Sequence, residues 1–334
     1  MLRCAAFVLV CASTAARADS TVTVTLNQAG HDLADQIGLS LPDFITTTET
    51  RINELFELQG LPHLLHSFAT TGAFANHGLG VDYQPHPGDL MIGVVADTAF
   101  ANDAKLSSDH VLSATVINYG LVADANLGRW NHPTWTVFAN GSYATTVIHG
   151  LSGHLLSAGG HVQYKVLPDV VRGQVRWTGL DVTTGLEYAR WEIGLSSHLD
   201  TNISVKGSID HATVDMASTG TLTVLAETTA FPIEVTTGVR LFDVIGLYAG
   251  GGLTLTTGSS TVTAQLNSLL TINADDLPIG TAMITASAAD GPSTATVHAL
   301  AGLQVHTPHV RIYVQGLIAP DERSIALGLR GGLD

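Results

Sequence analysis

The 334-residue chain carries 15 histidines and 29 acidic residues, and these are its candidates for metal or acid–base chemistry. His63 and His66 stand three apart, His306 and His309 bracket a Thr-Pro turn, and His154 and His161 lie an odd number apart. A zinc site needs three or four converging ligands. The sequence has no His-Glu-x-x-His run and no cysteine pair outside its first residues. It predicts scattered histidines, with no metal and no cofactor. For nucleophilic catalysis the nearest segment is HGLSGH (149–154), with Ser152 and His154. It lacks the Gly-x-Ser-x-Gly spacing of a strand–turn–helix elbow and reads as a polar hairpin. No catalytic residue is expected, and the chain is not expected to be an enzyme.

The polar residues that do form a pattern recur at every second position. In INYGLVADANLGRW (117–130) they include Asn118, Asp124 and Asn126, and in HLLSAGGHVQYKV (154–166) His161 and Lys165. GLDVTTGLEYAR (179–190) contributes Asp181 and Glu187, and WEIGLSSHLDTNISVK (191–206) contributes Glu192 and Asp200. Apolar residues fill the positions between them. Such alternation describes a strand with one face in an apolar medium and one in a wet one. The parity flips between Arg190 and Trp191, which requires either a β-bulge in one long strand or a tight turn between two. Turn signals such as Pro85-His86-Pro87-Gly88, Asn131-His132-Pro133 and Asp290-Gly291-Pro292 recur at strand-length spacing. Counting the runs gives about 14 strands, within a range of roughly 12–16.

Which apolar medium the strands face follows from composition. The chain is 45% hydrophobic but only 13% charged, against about 25% in ordinary soluble domains. Mean hydropathy is +0.27, yet no segment after the first residues supplies the roughly 20 apolar residues of a spanning helix. The polar faces carry Gly, Ser, Thr and Asn rather than the Lys and Glu of a soluble sandwich. A closed barrel with lipid outside and a polar lumen inside satisfies all of this, because closure leaves no backbone group unpaired in hydrocarbon. A soluble β-sandwich is the competing reading. Trp130, Trp135, Trp177 and Trp191 fall at or near strand ends, where a barrel places its headgroup-level aromatics. The formal charge of −15 argues against nucleic acid as a partner.

Residues 1–18 read as a cleavable export signal, with Arg3, an apolar run at 5–12 and Ala16-Arg17-Ala18 before Asp19. Cys4 and Cys11 both lie inside it, so no disulfide is expected. Residues 19–70 form an N-terminal segment with an amphipathic helix at roughly 46–58. Thr46 and Glu49 would form its capping box, Gly60 and Pro62 would end it, and a short turn would follow at 63–68. That helix would plug a lumen, cap a mouth, pack on a rim or lie on the membrane. Residues 71–334 form the barrel.

Through strands such as INYGLVADANLGRW, SAGGHVQYKV and VIGLYAGGGLTL, the chain resembles Gram-negative outer-membrane β-barrel proteins. An amphipathic segment ahead of such a barrel is also similar to the fatty-acid and hydrocarbon transporter class, although no Asn-Pro-Ala motif is present. The sequence closes on Leu333-Asp334, where such barrels usually carry an aromatic residue. The resemblance implies a transmembrane antiparallel β-barrel with a short N-terminal helical segment, located in the cell outer membrane. Its partners would be outer-membrane lipid and lipopolysaccharide, the barrel-assembly machinery and a small solute. The implied function is passive passage of small solutes, hydrophobic ones included. A structural or surface-interaction barrel without transport is the alternative, followed by a barrel-borne lipid hydrolase.

Overall fold

The computed structural model describes residues 17–55, 61–77, 79, 81–86, 88–107, 110–148, 151–272 and 277–333. Residues 1–16 of the expected export signal, and 56–58 of the expected helix, lie outside them. The strands are β1 (Arg17–Leu26), β2 (Leu90–Ser107), β3 (His110–Asn126), β4 (Trp135–Ile148), β5 (Leu151–Leu167), β6 (Val170–Arg172) and β7 (Val175–Lys206). They continue as β8 (His211–Leu241), β9 (Ile245–Ile272), β10 (Leu277–Asp290), β11 (Ala295–His306), β12 (Val310–Ile318) and β13 (Glu322–Gly332). Three helices precede β2: α1 (Gln28–Ile37), α2 (Leu41–Leu55) and α3 (Leu61–Asn76). No described helix is long and apolar enough to cross a membrane.

The strand order β9-β11-β12-β13-β2-β3-β4-β5-β7 returns to β9 through β8, so these strands close an antiparallel ring. The all-β barrel of the sequence reading is therefore present; thirteen strands are described, inside the expected range, and ten of them close the ring. Around the ring, outward residues are apolar and unusually bare: Leu121 is 63% exposed, Tyr143 72% and Val147 80%. In β3 the alternation holds as expected, with Ile117, Tyr119 and Leu121 outside and Asn118 and Asp124 buried inside. Val122, which interrupts the alternation, packs inside with Leu79, Val95 and Tyr313.

Three strands continue past the ring. β7, β8 and β9 have 32, 31 and 28 residues, far more than the roughly 9–11 of a membrane crossing. Their far halves pair with β10 and β1 to make a second sheet above one mouth. Helices α1 and α2 cover that sheet's inner face and complete a cap. Leu33, Ala34, Ile37, Phe44 and Ile52 meet Val22, Val24, Val205, Val214, Met216, Leu270 and Ile284 there in one apolar cluster. α1 begins at Asn27, whose side chain accepts from Gly30 N (3.1 Å), and ends at Gly38 in the left-handed region (φ 76°). α2 starts five residues before the expected capping box. Ser40 Oγ accepts from Asp43 N (3.3 Å), and Glu49 Oε1 instead accepts from Val24 N of β1 (3.1 Å).

α3 occupies the barrel interior. The sequence reading gave this stretch only a short turn, because Gly60-Leu-Pro reads as a helix stop. Pro62 is instead in the first turn of the next helix, where a missing N–H costs nothing. Small residues (Ala69, Thr70, Thr71, Gly72, Ala73, Ala75) slim the helix, and those among them other than Gly72 are buried to 7% exposure or less. The chain thus enters from the cap, follows the lumen as α3 and the described residues 77, 79, 81–86, 88 and 89, and begins β2 at the opposite mouth.

Three expectations need correction. The register of β7 against β8 runs unbroken through Arg190 and Trp191, so no bulge or turn flips the parity there. Trp191 points inward, 9% exposed, and a Cβ on Gly72 of α3 would touch its indole Nε1. Trp191 is therefore not a headgroup residue. Glu192, on the other parity, faces outward within 3.5 Å of Arg190, and Asp200 is exposed on the extended sheet. Neither is in the lumen. The physical reason is that α3 in the barrel, and α1 and α2 in the cap, give the interior an apolar wall of its own, while the outer face above the membrane turns polar. Apolar and polar then exchange sides without any change in strand geometry. The other three tryptophans stand near the short-turn mouth, where Trp135 packs on Tyr164 at 4.7 Å.

Candidate functional site in the barrel lumen

The lumen brings the wall's inward polar residues onto the threaded segment. At the end of α3, Asn76 Oδ1 accepts from Asn118 Nδ2 (3.4 Å), and Asn76 Nδ2 donates to the Tyr188 carbonyl (3.3 Å). Asn118 also receives Ser142 Oγ (3.0 Å) and donates to Ser157 Oγ (3.3 Å).

One residue on, His77 meets two carboxylates from the wall. Its Nε2 lies 3.0 Å from Glu234 Oε1 and its Nδ1 3.7 Å from Glu187 Oε2. His161 Nε2 is 2.9 Å from the other Glu187 oxygen. His298 Nε2 lies 3.1 Å from Glu234 Oε1, and Tyr83 OH donates to Glu234 Oε2 (2.7 Å). The side chains of His77, Glu187, Glu234 and His298 are no more than 2% exposed.

Nearer the second mouth, Asp82 pairs with Arg311, accepts from Gln304 Nε2 (3.1 Å) and lies 3.7 Å from Arg330 Nη1. Arg330 in turn donates to Asp124 Oδ2 (3.0 Å) and stacks on Tyr313, 5.0 Å from its ring centre. Arg311 also pairs with Asp89. Gln84 is gripped by the wall: its Nε2 donates to the Leu247 carbonyl (3.0 Å), and its own carbonyl accepts from Arg240 Nη2 (2.8 Å). Gly238 and Gly246 make room for it, since a Cβ on either would fall on the Gln84 amide. His86, outside every strand at this mouth, is pushed down to about 4 by burial and by the Arg240 and Arg311 guanidiniums beside it.

The remaining residues singled out from sequence are placed as follows. Asn126 is a mouth residue; its side chain accepts from Gly88 N and Gly128 N and donates to Thr136 Oγ1, all at 2.9 Å. Lys165 reaches Asp169 (2.7 Å) and, more distantly, Asp181 (3.9 Å). His161, Glu187 and Asp181 are buried. Ser152 Oγ leans on the Gly194 carbonyl (3.4 Å), and His154 is exposed. His66 turns to the Gly291 carbonyl (2.7 Å) while His63 is exposed.

Sequence reasoning missed His77, Asp82, Glu234, His298, Arg311 and Arg330. Four carry the same signal as those it found. Glu234 stands between Ile233 and Val235, His298 between Val297 and Ala299, Arg311 between Val310 and Ile312, and Arg330 follows Leu329. His77 and Asp82 lie on the thread, which has no period to betray which way it faces.

A family model described as Lsa36-like matches residues 4–332. No curated protein matches the chain. The solved structures it resembles are outer-membrane β-barrels. The translocator domain of the autotransporter NalP from Neisseria meningitidis is 10% identical, with TM-score 0.30, over 79% of this chain and 99% of that one. The outer membrane protease OmpT from Escherichia coli is 7% identical, with TM-score 0.38, over 74% and 97%. The monoaromatic hydrocarbon channel CymD is 10% identical, with TM-score 0.25, over 79% and 97%.

Proposed function

The chain belongs to the Lsa36-like family, and from its architecture we propose that this member is a non-conducting outer-membrane barrel that displays its cap for interaction at the cell surface. The supporting observation is the filling of the lumen. α3 and the described residues that follow it up to Asp89 lie along it, and buried ion pairs and hydrogen bonds of His77, Asp82 and Gln84 fix them to the wall. A solute passing through would have to strip buried charges of their partners, at a cost of about 3–5 kcal/mol for each pair broken.

The exposed cap is what remains available to a partner. Its outer sheet face is rich in hydroxyl and amide side chains, with shallow grooves lined by Asp19, Thr21, Thr221, Thr263 and Gln265. Export by the N-terminal signal, delivery by the barrel-assembly machinery and contact of the apolar band with lipid and lipopolysaccharide belong to the same reading. No catalytic role is assigned to Ser152 or His154, since the serine hydroxyl lies against a backbone carbonyl rather than the imidazole.

Planar-bilayer recording of the purified full-length protein tests this. The expected trace is flat. Steady single-channel currents would instead return the barrel to the passive-channel reading.

A further inference from the structure

Three side chains in the lumen, far apart in sequence, form a closed triangle of ligand atoms. His77 Nε2 lies 3.0 Å from Glu234 Oε1 and 3.1 Å from His298 Nε2, and His298 Nε2 lies 3.1 Å from Glu234 Oε1. They come from the threaded segment, β8 and β11. We propose that this triangle is a binding site for one divalent first-row transition metal ion, which clamps the thread to the barrel wall.

The geometry suits a metal in three ways. Imidazole and carboxylate bonds to such ions measure about 2.0–2.2 Å, so neighbouring ligand atoms lie roughly 2.9 Å apart on an octahedral face and roughly 3.3 Å apart on a tetrahedral one. The observed edges fall between those values. Protons satisfy such a triangle poorly. If both imidazoles donate to Glu234 Oε1, two N–H groups are crowded against each other. If one imidazole donates to the other, the acceptor has no proton left for the carboxylate it faces. One cation seated over the triangle, at bonding distance from each atom, serves all three lone pairs. The surroundings also match the outer shell that orients metal ligands. Tyr83 OH holds the second Glu234 oxygen (2.7 Å), and His77 turns its Nδ1 toward the Glu187 carboxylate (3.7 Å). The set is two imidazoles and one carboxylate, a borderline ligand group that favours zinc, iron or cobalt over calcium or magnesium.

The triangle is buried, so the ion enters as the thread is laid in place and leaves only when it loosens. The proposal does not depend on whether the barrel conducts. It is tested by refolding the full-length protein with zinc, removing loose metal by dialysis and counting bound zinc by elemental analysis. The expected result is about one zinc per chain, nearly none in His298→Gln, and a retained ion in His161→Gln, which lies beyond Glu187. A chelator should then lower the thermal transition of the wild type and leave that of His298→Gln unmoved. Should His298→Gln fail to assemble, cobalt(II) replaces zinc in the wild type, and ligand-field absorption bands in the visible are expected. Wild-type protein with no stoichiometric zinc, or a cobalt spectrum matching that of the free ion, overturns the proposal.

Discussion

Asp82 sits where the thread meets the wall. Buried at 2% exposure, it faces Arg311 and Arg330 from two neighbouring strands, and Arg330 leans also on Asp124. Each guanidinium here has lost its water and finds its charge partners in these carboxylates. Removing one partner of a buried pair costs about 3–5 kcal/mol, because the other charge is left stranded. Asp82→Asn should therefore destabilise the folded barrel by about that much, read as an earlier urea midpoint of the heat-modifiable band in detergent. An unchanged midpoint would mean that the two arginines find other partners. At this scale the sequence was half legible. It located Asn118, Asp124, His161, Asp181 and Glu187 because a strand's period fixes which way each side chain points. It could not locate Asp82 or His77, whose direction is set by the wall around them. Glu192 and Asp200 show the converse: regular alternation identified two faces without saying which was wet.

Among the elements, the helices divide the work between cap and lumen. α2 was legible in part from its amphipathic spacing, although its start at Leu41 and its place outside the ring were not. α1 carried a readable signal in Asn27 and Gly38, an N-cap and a left-handed C-cap. α3 was obscured because a helix surrounded by wall has no polar side, so its mixture of Ala, Thr, Phe and Gly has little amphipathic contrast. The cap owes its cohesion to apolar burial rather than to ion pairs. Phe44 and Ile52 are fully buried in its cluster, and Phe44→Ala should cost the cap about 3–5 kcal/mol. Hydrogen exchange followed by mass spectrometry separates cap from barrel. Peptides covering 28–55 should exchange roughly a hundred- to several thousandfold faster in the variant, while strands β2 to β5 hold their protection. Equal acceleration in both would show that cap and barrel open as one unit.

For the whole molecule, the barrel was legible because lipid outside and polar groups inside impose one period on every strand. The second sheet was not, because β7, β8 and β9 keep that period after they leave the membrane and change only their chemistry. Along β8 the outward residues pass from Val235, Ile233 and Phe231 to Thr223, Thr221 and Thr219. This change marks the boundary, where Tyr188 OH donates to Glu227 Oε1 (3.0 Å). Outer-membrane barrels keep short turns on the periplasmic side and their long excursions outside, so the proposed function requires the cap to lie in the medium. Both cysteines lie in the expected export signal, so single cysteines make clean reporters. Ile209→Cys, at a cap hairpin position 75% exposed, should react on intact cells with a membrane-impermeant maleimide. His132→Cys, exposed at the short-turn mouth, should react only after the outer membrane is opened. The reverse pattern would invert the molecule. The threaded lumen also dictates a history. The strands that encircle α3 all follow it in the chain, and the seam between β13 and β2 joins the last strand to the first after the thread. A finished ring would have to admit a helix already tied to β1 and to the cap. Closure at that seam must therefore come around the thread, as a late event in assembly, so a block that holds β13 away should leave an open sheet with its plug already beside it.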